Sequence, residues 1–147
     1  MANNRTLTAA DAILMMTVDT IYPTPFRIKG FAADDVTNMD AVDNAETSMG
    51  VDGRLSAGFV FAPTRQTITL QADSETNDLF EYWAMYERTN RRKYFAGQTI
   101  KITATGRQYI CVRGVLRSYT PMPALRRTAQ PRSFVIEWES VTPAPAV

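Results

Sequence analysis

The stretch Thr64–Lys93, TRQTITLQADSETNDLFEYWAMYERTNRRK, decides how the rest of the chain is read. From Thr64 to Ala72 the apolar residues Ile68, Leu70 and Ala72 alternate with Thr67, Thr69 and Gln71, the period of a strand with one dry and one wet face. Asp73 and Ser74 end it, and the short side-chain oxygen of either suits the unpaired N–H groups of a helix's first turn. The period then changes. At 100° per residue Leu79, Phe80, Tyr82, Trp83 and Tyr86 share one stripe, with Glu81, Arg88 and Arg92 opposite. Asp73, Glu75 and Asp78 at the start and Arg88, Arg91, Arg92 and Lys93 at the end match the helix macrodipole. No second long helical pattern occurs. The expected fold is therefore mainly β, a β-rich α+β chain: an antiparallel β-sandwich or barrel with one outer amphipathic helix whose core face is Leu79, Phe80, Trp83 and Tyr86.

Composition narrows the function. A chain of 147 residues reads as a single domain, 1–147, able to bury roughly 70% of its unfolded surface. Its one cysteine, Cys111, excludes an internal disulfide, and the absence of histidine removes the common zinc sets and His-based triads. The longest wholly apolar run, Ala12 to Met16, is far short of the ~20 residues that span a bilayer, and no signal-peptide pattern is present. The expectation is a protein with no membrane association, made and assembled in a reducing cytoplasm.

The net charge of +1 argues against bulk nucleic-acid binding, yet its distribution is lopsided. Residues 1–80 hold 11 acidic and 5 basic side chains and residues 81–147 hold 4 and 11, so the halves carry −6 and +7. Either interleaved strands cancel this dipole, or opposite faces meet in a head-to-tail assembly.

Along the chain, residues 1–9 read as a polar N-terminal arm and Ala10 to Asp19 as a first strand. Tyr22-Pro-Thr-Pro25 is expected to break it, because proline donates nothing to a ladder. Phe26, Ile28 and Gly30 then mark a second strand. Residues 34–58 read as a long projecting loop, acidic at Asp34, Asp35, Asp40, Asp43, Glu46 and Asp52 before the first base, Arg54, with a short strand between Val36 and Val42. After the helix come strands over Thr99 to Ala104, Gln108 to Tyr119 with a bulge at Gly114, and Ser133 to Val141. Between the last two, prolines bracket an Arg126-Arg127 turn. Residues 142–147 form an extended Pro-rich C-terminal tail, unsuited to a sheet interior.

No motif supplies catalytic chemistry. The acidic run lacks the spacing that sets alternate oxygens on one cation, so it reads as a solvated loop and no metal is expected. Glu137 and Glu139 mark the wet side of a strand. Arg91, Arg92 and Lys93 beside Tyr94 and Phe95 combine charge and aromatics as single-strand binders do, but a helix C-terminus attracts bases anyway. Gly50-x-x-Gly53 lacks the Lys-Ser/Thr of a phosphate loop. Tyr82, Trp83 and Tyr86 read as core, not as a cofactor box. Neither an enzyme nor a cofactor is expected.

The run Met49–Gly58 (MGVDGRLSAG) followed by Gln66–Ser74 (QTITLQADS) resembles the tail tube, or inner tube, proteins of contractile-tailed bacteriophages, and Gly114–Pro121 (GVLRSYTP) and Gln130–Ser140 (QPRSFVIEWES) are similar to the same family. The resemblance covers about Gly30 to Pro143. It implies a structural virion protein of tail-tube-like fold, assembled in the host cytoplasm. Such subunits form hexameric rings that stack head to tail and conduct the genome through a lumen during ejection. Implied partners are further copies of itself, the tail sheath, tape measure and baseplate proteins, and genomic DNA in transit without specific binding. Two alternatives remain: a tail terminator, connector or baseplate ring of the same fold, and a small nucleic-acid-binding module using Arg88 to Lys93. In the tube reading the inter-ring contacts fall to Asp40, Asp43, Glu46, Asp52 and Arg54 on the loop. The opposite surface is supplied by Arg88, Arg91, Arg92 and Lys93 with Arg126 and Arg127.

Overall fold

A computed structural model of the chain describes residues 12–30, 37–103 and 105–145. The expected N-terminal arm, Asp34 and Asp35, Val36, Ala104 and the end of the C-terminal tail lie outside these residues. Nine strands and one helix follow in order: β1 (Ala12–Val18), β2 (Tyr22–Arg27), β3 (Thr37–Met39), β4 (Ala45–Met49), β5 (Leu55–Phe59), β6 (Thr64–Leu70), α1 (Thr76–Asn90), β7 (Ala96–Ile102), β8 (Arg107–Tyr119) and β9 (Arg132–Pro145). Seven of them form one sheet, ordered β2-β1-β7-β8-β9-β6-β3, in which every neighbouring pair is antiparallel. The described residues are β-rich with a single helix, as the sequence predicts; β4 and β5 stand apart as a two-stranded ribbon.

Alternation builds the core on one side of this sheet. Leu14, Met16 and Val18 of β1, Ile68 and Leu70 of β6, and Phe134, Ile136 and Trp138 of β9 are all fully buried, and the residues between them are mostly half-exposed. Helix α1 covers the buried face through Phe80 and Trp83, with the Phe80 ring stacked 4.6 Å from that of Phe134. Burying such a side chain contributes about 1.5–3 kcal/mol. Gln66 is a fully buried polar side chain within this layer. Its Oε1 accepts from Trp138 Nε1 at 2.9 Å and its Nε2 donates to Thr37 Oγ1 at 2.9 Å, tying three adjacent strands together.

Several local expectations are corrected. The buried stripe of α1 is Thr76, Asn77, Phe80, Trp83, Ala84 and Glu87; Leu79 and Tyr86 are half-buried, and Tyr82 is 56% exposed. The turn of the stripe follows Glu87, whose Oε2 accepts from Tyr94 N at 2.9 Å and whose Oε1 accepts from Lys93 Nζ at 3.1 Å. Tyr82 stays at the rim, its ring 6.2 Å from Tyr22 and 6.0 Å from Tyr86. The N-cap position is Glu75, which makes no capping bond; Ser74 Oγ instead accepts from Thr76 N at 3.2 Å.

Pro23 and Pro25 do not break the chain. They lie inside β2, an edge strand, where a missing N–H costs nothing if it faces outward. Likewise β9 continues through Pro143 to Pro145, because β6 pairs only as far as Trp138 and leaves the rest of β9 one-sided. In β8, Arg113 adopts φ 51°, and this left-handed residue turns Gly114 and Leu116 onto the core face in place of Arg113. Gly114 is required there: a Cβ would sit 2.4 Å from Trp138 Cε3.

Candidate assembly surfaces

The region read as an acidic loop contains β3 and the β4–β5 hairpin. Pairing sets Ala45 opposite Phe59, Thr47 opposite Ala57 and Met49 opposite Leu55, so these six side chains share one face. Glu46, Ser48, Ser56 and Gly58 occupy the other. The ribbon is thus amphipathic, apolar on one side and polar on the other. Its turn is built: Gly50 N donates to Arg54 O at 2.8 Å, Asp52 Oδ1 accepts from Arg54 N at 3.1 Å, and Gly53 takes φ 83°.

None of the described residues covers the apolar face. Every residue from Asp40 to Phe61 is exposed. Phe59 is 71% exposed and Val51, at the tip, 110%; Phe61 extends the patch with its ring 5.0 Å from that of Phe59. A two-stranded hairpin alone is marginal in water, and an uncovered apolar patch marks a surface meant for a partner. In the sequence this segment stands out by its charge and glycines, and the alternation of Ala45, Thr47 and Met49 with that of Leu55, Ala57 and Phe59 is the signal for its apolar face.

The acidic candidates Asp40, Asp43, Glu46 and Asp52, with Arg54, are exposed along this ribbon and its approach. The basic candidates separate into two places. Arg88, Arg91, Arg92 and Lys93 cluster where α1 ends: Arg91 caps the helix at φ 53° with its N–H donating to Glu87 O, and the Arg92 guanidinium lies 5.3 Å from the Tyr94 ring centroid. Beside them lies a groove of about 430 Å³ that they line together with Ala84, Leu116, Arg117 and Tyr119. Arg126 and Arg127 sit elsewhere, in a bend closed by Gln130 N donating to Ala124 O at 2.9 Å.

That bend is anchored by Arg132, which sequence reasoning missed. Its buried guanidinium pairs with Glu81 on α1, donates to Thr120 O and Pro121 O at 2.9 and 3.0 Å, and lies over the Phe134 ring. The bend therefore presents exposed Met122 and Leu125 beside its arginines. Among the described residues no ion pair joins the acidic ribbon to either basic set: the partners of Lys93, Arg113, Arg117 and Arg132 are Glu87, Glu139, Glu137 and Glu81.

The titratable groups offer binding geometry but no reacting set. Burial pushes the Cys111 thiol up to about 12, so it stays protonated, and burial with the neighbouring Tyr82 raises Tyr22. Among the described residues no cluster of three His, Cys, Asp or Glu is placed to hold a metal ion, and no helix is long and apolar enough to cross a membrane.

Residues 5–142 match a family model described as tail fiber protein gp32. No curated protein sequence matches the chain. Among solved structures, a chain of the anti-feeding prophage baseplate, 6-fold symmetrised, aligns with a TM-score of 0.61 at 7% identity, over 91% of this chain and 92% of that one. A chain from the sheath/tube terminator of the PVC extracellular contractile injection system in its extended state gives 0.62 at 12% identity, over 89% and 92%. One from the tube-terminating cap of the anti-feeding prophage gives 0.55 at 14%, over 99% and 95%. At these identities the likeness is one of fold.

Proposed function

The chain belongs to the tail fiber protein gp32 family, and from that premise we propose that this structural tail component is a tail tube subunit. Copies form hexameric rings that stack head to tail inside a sheath, and the lumen passes the genome without gripping it. The reading is of a scaffold and not an enzyme, built in the host cytoplasm and carried in the virion, with tape measure and baseplate proteins at its ends.

One observation carries it: an amphipathic ribbon whose apolar face, Met49, Leu55 and Phe59, has no cover among the described residues. A ribbon that meets a different surface on the next copy makes a heterologous contact, and repetition gives a closed ring or an open filament. The sheet points the same way. Among the described residues its two edges, β2 and the three-residue β3, have no partner on their outer sides, and closure between copies is what removes edges. A terminator or cap ring is the second reading, favoured by the likeness of the fold to a sheath/tube terminator and a tube-terminating cap.

Negative-stain microscopy of the purified chain separates the two. The tube reading expects filaments of stacked rings that lengthen with concentration. Single rings at every concentration point to the cap, and a monomer throughout removes both.

A further inference from the structure

We propose that the exposed face of α1 pairs antiparallel with the same face of α1 in a second copy, a two-fold contact separate from the head-to-tail one above and independent of it. The spacing is the first observation. Glu75, Asp78, Tyr82, Met85 and Thr89 are all exposed and recur at intervals of three and four, the a/d rhythm of a seam that packs against another helix. Glu75 stands at the N-cap with φ −61° and ψ −29°, already helical, so the rhythm begins there. The seam lies on the side of α1 away from Phe80, Trp83 and Glu87, which are buried. Its centre is apolar: Tyr82 is 56% and Met85 53% exposed, with half-buried Leu79 and Tyr86 beside them. Rings extend the patch sideways, since Tyr86 and Tyr22 lie 6.0 and 6.2 Å from Tyr82, and Phe26 lies 5.1 Å from Tyr22. A contiguous apolar patch marks a contact surface, as a lone exposed ring does not.

The ends of the seam carry opposite charge. Glu75 and Asp78 stand at one end, Arg88 and, just past the Arg91 cap, Arg92 at the other; all four are exposed, and none belongs to the ion pairs formed among the described residues. Glu81 on the flank is already held by Arg132 and adds nothing to this count. The polarity fixes the direction. A parallel partner sets acid on acid, whereas an antiparallel one sets acid on base at both ends. It also fixes the occupant. With a two-fold axis level with the midpoint of Trp83 and Ala84, Tyr82 faces Met85 of the second copy, Asp78 faces its Thr89 with Arg88 alongside, and Glu75 reaches its Arg92. The seam is therefore its own complement, as an isologous contact requires. Because α1 is the only helix among the described residues, a copy of this chain answers a helical seam with α1 itself. A nucleic acid or an anionic membrane would meet Glu75 and Asp78 as like charges.

The test traps the pair with cysteines in the full-length chain. Cys111 is buried, so Asp78→Cys and Thr89→Cys at exposed positions are the reactive sites. Mild oxidation of the double variant Asp78→Cys/Thr89→Cys should give a reducible dimer on a denaturing gel and nothing larger, because two reciprocal bonds close the pair. Each single variant should stay at the background of random collision, since in the antiparallel register equal residues lie about 16 Å apart along the axis. Charge reversal is the second arm. Adding Arg88→Glu/Arg92→Glu to the double-cysteine chain should slow trapping at physiological salt by at least about tenfold, the effect of a 1.4 kcal/mol loss of affinity. Adding Glu75→Lys as well should recover part of that loss. These sites are exposed, so circular dichroism should be unchanged.

A double-cysteine chain that forms no more dimer than the single variants overturns the contact. A ladder of higher multimers overturns it too, because an isologous pair cannot propagate. Single variants that link as fast as the double one remove the antiparallel register, and trapping that ignores the reversed arginines removes the charge match; either result sinks the pairing.

Discussion

Strand β6 and the β4–β5 hairpin carry the same alternating pattern and meet opposite fates. In β6, Gln66, Ile68 and Leu70 are fully buried beneath α1. In the hairpin, Met49, Leu55 and Phe59 alternate just as regularly, and every residue is exposed. An alternating strand specifies only that one face seeks cover; whether the cover is in the same chain depends on what the topology brings over it. Here α1 follows β6 directly and folds back onto the sheet, with Phe80 stacked on Phe134, while the hairpin lies between β3 and β6 and leaves the sheet altogether. One region is a core completed within the chain. The other is an apolar face that none of the described residues covers.

The comparison can be broken by showing that both regions stabilise the subunit alike. Trp83→Ala removes a ring that is 1% exposed, and a buried large aromatic costs about 3–5 kcal/mol on truncation. Urea unfolding of the unassembled subunit should show that loss as a lower midpoint at unchanged slope; an unaffected midpoint would mean that the helix does not hold the core. A smaller effect, about 1–3 kcal/mol from overpacking, is expected of Gly114→Ala, whose new methyl must displace the Trp138 ring. Replacing Trp138 with a smaller residue in the same chain should recover part of it, and additive losses would disprove the clash. The smallest effect sharpens the contrast. Phe59→Ala should change subunit stability by less than about 0.5 kcal/mol, as at other exposed sites, while reducing assembly. A loss as large as that for Trp83 would place the hairpin's cover inside its own chain.

Much of this was legible because it is local. The change from period two at Thr67–Ala72 to a helical stripe at Leu79–Tyr86 gave the strand, the helix and the β-rich class. The absence of histidine and the single cysteine removed whole chemistries, and the separation of charge put acid and base in different parts of the chain. What only the tertiary structure decided is which surfaces are covered. Tyr82 lies on the helix's aromatic stripe but stays at the rim, since Glu87 is drawn inward by the Tyr94 amide and Lys93. Pro23, Pro25, Pro143 and Pro145 read as breaks, yet they are tolerated within β2 and β9 because those segments lack a partner on one side. The bend holding Arg126 and Arg127 owes its shape to Arg132 reaching Glu81, a pair 51 positions apart. Periodicity and composition act between near neighbours and can be read from the chain. Burial and strand partnership depend on residues brought together across it, and so appear only once the sheet order is known.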